Sequence, residues 1–193
     1  MRYVPEALFL TDFADPAVMV PMVLVLAAVL WLSGWRRGAV AWCSVVPLTL
    51  LAVVIAKLMV FHFGSPAWLP DLLSPSGHTA SAALVYGGLM VILLPYMGPW
   101  RRVLLVAAPM TAIIGFTRLV LAMHTLDDVI VGAIMGLVGS ISLARMAGHR
   151  PVHLSLWPAA GTVVAVVILF HGIRLPAEMW LHAAAREWPD WLL

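Results

Sequence analysis

Residues 39–61 read AVAWCSVVPLTLLAVVIAKLMVF, an apolar run in which Lys57 is the one charged side chain. A helix needs about 20 mainly apolar residues to cross the hydrocarbon core of a bilayer, and this run is long enough. Five further stretches of the same character lie on either side of it, at 17–33, 79–96, 103–120, 129–146 and 154–171. Several are short for a span. The 193 residues are 63% hydrophobic and only 10% charged, far from the balance of a soluble domain. No water satisfies the backbone inside a bilayer, so spanning segments are helices or closed barrels, and long uninterrupted runs favour helices. The fold class expected is all-α, a polytopic bundle of six transmembrane helices. Short turns such as SGWRRG and YMGPWR join antiparallel neighbours without a linker, which makes residues 1–193 one domain. The stretch 17–33 follows Glu6, Asp12 and Asp15 instead of a basic region, and reads as a retained span, not a signal peptide.

The net charge of +2 becomes informative once the charges are placed. Arg36 and Arg37, Arg101 and Arg102, and Arg145 and Arg150 fall in three turns that hold no acid. Every acidic residue lies in the other loops or near the termini: Glu6, Asp12, Asp15, Asp71, Asp127, Asp128, Glu178, Glu187 and Asp190. By the positive-inside rule the basic turns are cytoplasmic, so both termini and the loops around His78 and His124 share the outer face. Gly132 and Gly136, with Gly139 and Ser140 beyond, have the spacing of a helix-contact face, which serves packing within the chain or a homo-oligomer interface. Residues 178–192 put Leu181, Ala184, Ala185, Trp188 and Trp191 towards one side, with Glu178, His182, Arg186 and Glu187 largely elsewhere. That pattern predicts an amphipathic helix at the membrane interface, as an anchor or as a gate for lipid access.

Three polar islands interrupt the apolar chain. Lys57 either snorkels to water or attracts an anion. In Pro75-Ser76-Gly77-His78, proline and glycine shape a loop and Ser76 caps the helix that follows. The same backbone N–H groups and hydroxyl are suited to phosphoryl oxygens, with His78 managing a proton. The third island holds Arg118, His124 and Asp128. His124 and Asp128 are four apart, so on a helix they are neighbours on one face, and the carboxylate can orient the imidazole towards an electrophile. Asp127 points about 100° away; the plainer reading of His124 is a solvated loop histidine near acids. Taken together the islands supply cations, backbone donors and two histidines on one face, as phosphoryl transfer requires. The single cysteine, Cys43, allows no disulfide or thiolate cluster, and neither H-E-x-x-H nor a carboxylate at ligand spacing from His62 occurs, so no metal or other cofactor is expected.

Pro75-Ser76-Gly77-His78, followed by Arg118, His124 and Asp128 in an R-x5-H-x3-D arrangement, resembles the second and third motifs of the type 2 phosphatidic acid phosphatase superfamily, in its integral-membrane lipid phosphatase branch. The resemblance implies metal-independent hydrolysis through phosphohistidine. His124 would be the nucleophile, Asp128 its support, and His78 the acid and then base; Lys57, Ser76, Gly77 and Arg118 would hold phosphate oxygens. The first motif is incomplete: where the family usually places Arg-Pro after its lysine, Lys57 is followed by Gly64 and Ser65, with Pro66 one place later. Thr117 replaces the serine common before the matching arginine, and His62 is a candidate substitute for the missing guanidinium.

A site near the outer interface favours a phosphate whose hydrocarbon tails stay in lipid. The expected partners are membrane lipids and a phospholipid or polyprenyl phosphate substrate, such as phosphatidylglycerophosphate or undecaprenyl diphosphate, and not nucleic acid. The expected location is a bacterial inner membrane with the site facing the periplasm. A phosphotransferase passing phosphate to an acceptor lipid, and an anion or lipid transporter, are the competing readings; the transporter would need polar residues running across the membrane, which most stretches lack.

Overall fold

The computed structural model describes residues 4–94, 98, 101, 103–155 and 157–187, and among them every regular element is a helix. Helix α1 (Val4–Asp12) turns at residues 13–15 into α2 (Pro16–Leu32). The turn is fixed by Asp15, whose Oδ1 accepts from Ala17 N–H at 2.9 Å, with Pro16 at the first helical position where its missing N–H costs nothing. Helix α3 (Arg36–Phe63) carries the run 39–61 and ends where Gly64 takes φ +80°. After an irregular connection come α4 (Gly77–Leu93), with a π-helical turn at Ala82–Gly87, and α5 (Ala108–Val120), led by a π-helical segment at Val103–Ala107. Helix α6 (Leu126–Ala147) is followed by α7 (Trp157–Phe170) and α8 (Ala177–Arg186). The expected stretches thus lie on helices shifted by a few residues. Tyr96, Arg102, Trp188, Asp190 and Trp191 lie outside the described residues.

Three helical stretches, Val4–Leu32, Arg36–Phe63 and Leu126–Ala147, are long and apolar enough to cross a membrane; Gly77–Leu93, Leu105–Val120 and Trp157–Phe170 are apolar but shorter. The described residues are thus all-helical, with helices of the length and composition that membrane association requires. Leu24, Leu48, Leu51, Ile55, Ile134 and Ile168 are exposed, as side chains facing hydrocarbon would be, while Met22, Leu26, Trp42, Val46, Leu84 and Leu143 are buried between helices.

Helix α6 packs against both α3 and α4, α2 packs on α3 and α7, and α8 lies on α3. Glycine makes the α6–α4 contact possible. A Cβ on Gly132 would stand 2.4 Å from the carbonyl oxygen of Ser76, and one on Gly136 2.4 Å from that of Ala80. The glycine face read from the sequence is used here within the chain. At one end of the bundle Arg37 Nε donates to the Met146 carbonyl at 2.8 Å, joining the start of α3 to the end of α6. At 1.5 Å per residue, about 30 Å of helix separates Arg36 from Lys57, so the polar islands gather at the opposite end.

Candidate active site

The islands meet where α6 begins. Thr125 and Asp128 form a reciprocal cap: Asp128 N–H donates to Thr125 Oγ1 and Thr125 N–H to Asp128 Oδ2, each at 3.1 Å. The same Oδ2 is 3.1 Å from His124 Nδ1, while Oδ1 accepts from Leu73 N–H at 2.9 Å and Ser74 N–H at 2.7 Å. The Asp128 carbonyl accepts from Ser76 N–H at 2.9 Å. Asp128, 1% exposed, thus ties the loop before α4 to the histidine turn. A carboxylate that accepts two N–H groups on one oxygen and a third on the other accepts from His124 as well, so Nδ1 carries the proton and Nε2 keeps its lone pair.

His124 lines a cavity of about 650 Å³ together with Lys57, Gly77, His78 and Arg118. Burial and then the nearby Lys57 charge hold its imidazole below the ordinary value, against the pull of Asp128. His78 opens α4, and its Nε2 lies 3.8 Å from Asp15 Oδ2, an ion-pair distance too long for a hydrogen bond. Arg118 ends α5 with 7% exposure; its NH1 donates to Thr11 Oγ1 at 3.1 Å, and among the described residues its buried Nε has no hydrogen-bond partner. A buried guanidinium with an unpaired donor beside a cavity is suited to an anionic ligand.

Lys57 is 3% exposed and does not snorkel. Its Nζ donates to Ser74 Oγ at 2.7 Å and to Glu178 Oε1 and Oε2 at 2.7 and 2.8 Å. Burial pushes the Glu178 carboxyl up, but the Lys57 charge and the hydrogen bonds from Lys57 and Ser74 outweigh it and hold the group below its ordinary value. Of the residues singled out in the sequence, Lys57, Gly77, His78, Arg118 and His124 line the cavity, and Asp128 stands behind His124. Ser76 is fully buried, with its hydroxyl accepting from Thr79 N–H and Thr79 O–H, and is not among the lining residues. His62 is outside the lining too, its ring edge-on to Phe63. Thr117 turns its hydroxyl onto the Ile114 carbonyl.

Sequence reasoning misses Glu178, Ser74 and Asp15 as site residues. The amphipathic pattern puts Glu178 largely off the apolar side of its helix and gives it no partner, whereas it faces Lys57 from 121 residues along the chain. The acidic side of that pattern is the only local signal. Asp12 and Arg174, paired at 2.7 and 2.9 Å, complete the polar wall, and Val20, Val23, Leu24, Leu50, Val53 and Val54 extend the cavity as an apolar groove between α2 and α3.

A histidine held by a buried carboxylate, a second histidine and two cations, at one end of an apolar helical bundle, make a site suited to phosphoryl transfer. The model of the PAP2 superfamily matches residues 61–151, bearing out the superfamily resemblance drawn from the sequence. That segment contains His78, Arg118, His124 and Asp128; Lys57 precedes it. The chain is also similar to a Klebsiella pneumoniae protein described as an uncharacterized 22.5 kDa protein in the cps region, 27% identical over 177 residues that cover 88% of this chain and 85% of that one. No solved structure matches significantly.

Proposed function

We propose that the protein hydrolyses a membrane lipid phosphate or diphosphate, without a metal, through phosphohistidine at His124. The observation that carries this reading is the shared cavity in which His124, held by Asp128, faces the same space as Lys57, Arg118 and an apolar groove. The phosphoryl group lies among Arg118, Lys57 and the Gly77 backbone, with its tails along the groove between α2 and α3. His124 Nε2 attacks phosphorus; the P–N bond forms, the P–O bond to the lipid breaks, and the departing oxygen takes a proton from His78. His78 then removes a proton from water, the resulting hydroxide attacks phosphorus, and the P–N bond breaks to release phosphate and neutral His124. Asp128 keeps the Nδ1 proton in place and offsets the charge that the ring gains.

In this reading six helices cross a bacterial inner membrane, with the short ones completing the bundle and the site at the periplasmic face. The preferred substrates are phosphatidylglycerophosphate and undecaprenyl diphosphate. The test is an assay of purified protein on a lipid panel without divalent metal, following free phosphate and phosphorylated acceptor lipids together. Phosphate release is expected, His124→Ala should lose it by several orders of magnitude, and labelled phosphate should be trapped on His124. Transfer to lipid without release would make the protein a phosphotransferase. Neither release nor transfer by a folded protein would sink the catalytic reading.

A further inference from the structure

Helix α8 brings an anion of the protein's own into the cradle. An ammonium group has three donors, and those of Lys57 are taken by Glu178 Oε1, Glu178 Oε2 and Ser74 Oγ at 2.7, 2.8 and 2.7 Å. Ser74 Oγ in turn donates to Glu178 Oε1 at 2.8 Å. With Glu178 in place, Lys57 has no proton left for a phosphoryl oxygen. The carboxylate is held from the open side: the Glu178 side chain is 47% exposed, whereas that of Lys57 is 3% exposed. Its helix follows an irregular stretch at residues 171–176, in which Leu175 N–H donates to Asp15 Oδ1 at 3.2 Å, and is held along its length by the His182 ring stacked on Phe61 at 3.8 Å. None of the residues of this helix belongs to the buried core clusters of the described bundle, so its displacement leaves their packing in place.

We infer that Glu178 is a specificity-determining residue: its carboxylate is the resting ligand of Lys57, and a substrate phosphoryl group must displace it. This rests on the phosphohydrolase reading above. A tethered carboxylate competes at an effective concentration in the millimolar range or higher, so phosphate and small phosphomonoesters free in water are held off. A lipid phosphate meets the same penalty, but its tail in the groove between α2 and α3 adds binding that dissolved phosphate lacks, so it still occupies the site at concentrations at which dissolved phosphate is held off. The site thereby favours a membrane-borne phosphate over a dissolved one, and releases inorganic phosphate after turnover as Glu178 returns.

The experiment is calorimetric titration of the full-length protein in detergent with inorganic phosphate, for wild type, Glu178→Gln and Glu178→Ala, beside lipid phosphate turnover. Both variants should bind phosphate about tenfold more tightly or better, as removal of a tethered competitor requires. A purely structural role would weaken phosphate binding instead. Should the variants not fold, amide exchange of wild type decides: residues 177–186 should exchange faster with saturating phosphate, and unchanged exchange would overturn the role. Unchanged phosphate affinity in an active Glu178→Gln protein overturns the Glu178 assignment alone. A folded wild type that hydrolyses no lipid phosphate overturns the hydrolase reading, and the specificity role with it.

Discussion

At the scale of single residues, Asp128 does the most. Its carboxylate accepts from Leu73, Ser74 and Thr125 N–H groups and pairs with His124, so one buried anion fixes the loop before α4, the cap of α6 and the tautomer of the histidine. His124 in turn titrates in a setting that disfavours its charged form, first by burial and then by Lys57. A depressed imidazole stays neutral as the pH falls, and loses its attacking lone pair only on passing below its own value. The acid limb of kcat/KM assigned to His124 should therefore lie below pH about 6.5, the ordinary imidazole value. In Lys57→Met one cause of the depression is gone, so that limb should move to higher pH even as overall activity falls. A pH profile of the two proteins measures this, and a limb that stays fixed or moves down would separate Lys57 from the nucleophile.

At the scale of elements, the site depends on how closely α6 approaches α4. Gly132 lies against the Ser76 backbone, and one turn earlier Ser76 N–H reaches the Asp128 carbonyl at 2.9 Å. A methyl group at Gly132 meets backbone that cannot rotate aside, so Gly132→Ala should lower stability by about 1–3 kcal/mol, as overpacking does, and lower kcat as the loop shifts. Gly161 in α7 has nothing within 4 Å of the place a methyl group would take, and there Ala should stabilise by up to about 1 kcal/mol through helix propensity. Thermal unfolding and turnover of both variants provide the comparison; equal effects at the two sites would rule out the close-packing explanation. The C-terminal element teaches the same lesson in reverse. Its amphipathic pattern alone gives Glu178 and His182 no partner, but docking of α8 on α3 brings Glu178 to Lys57 and stacks His182 on Phe61.

At the scale of the whole molecule, the polar cavity and the basic turns occupy opposite ends. Arg36 and Arg37 meet the end of α6 near Met146, whereas Lys57, His78, Arg118 and His124 share the other end. In the proposed orientation, exposed Asp71 lies outside and exposed His149 inside. With Cys43 changed to Ser, a membrane-impermeant maleimide should label Asp71→Cys in intact cells and His149→Cys only after permeabilisation. The opposite pattern would invert the topology, and labelling of both in intact cells would rule out a spanning arrangement between these loops.

The sequence alone determined that the chain is a helical membrane protein and that His124 and Asp128 form a pair, because hydropathy and four-residue spacing act through neighbours along the chain. It also disclosed the gap in the first motif, where Gly64 ends α3 at φ +80°, a conformation that an arginine side chain disfavours. Only the tertiary structure decided that Ser76 serves as a cap outside the cavity lining, that Asp15 stands near His78, and that Glu178 reaches Lys57 across 121 residues. Such pairs depend on which helix faces fit together, and that is fixed by packing of the whole bundle, to which no local spacing gives access.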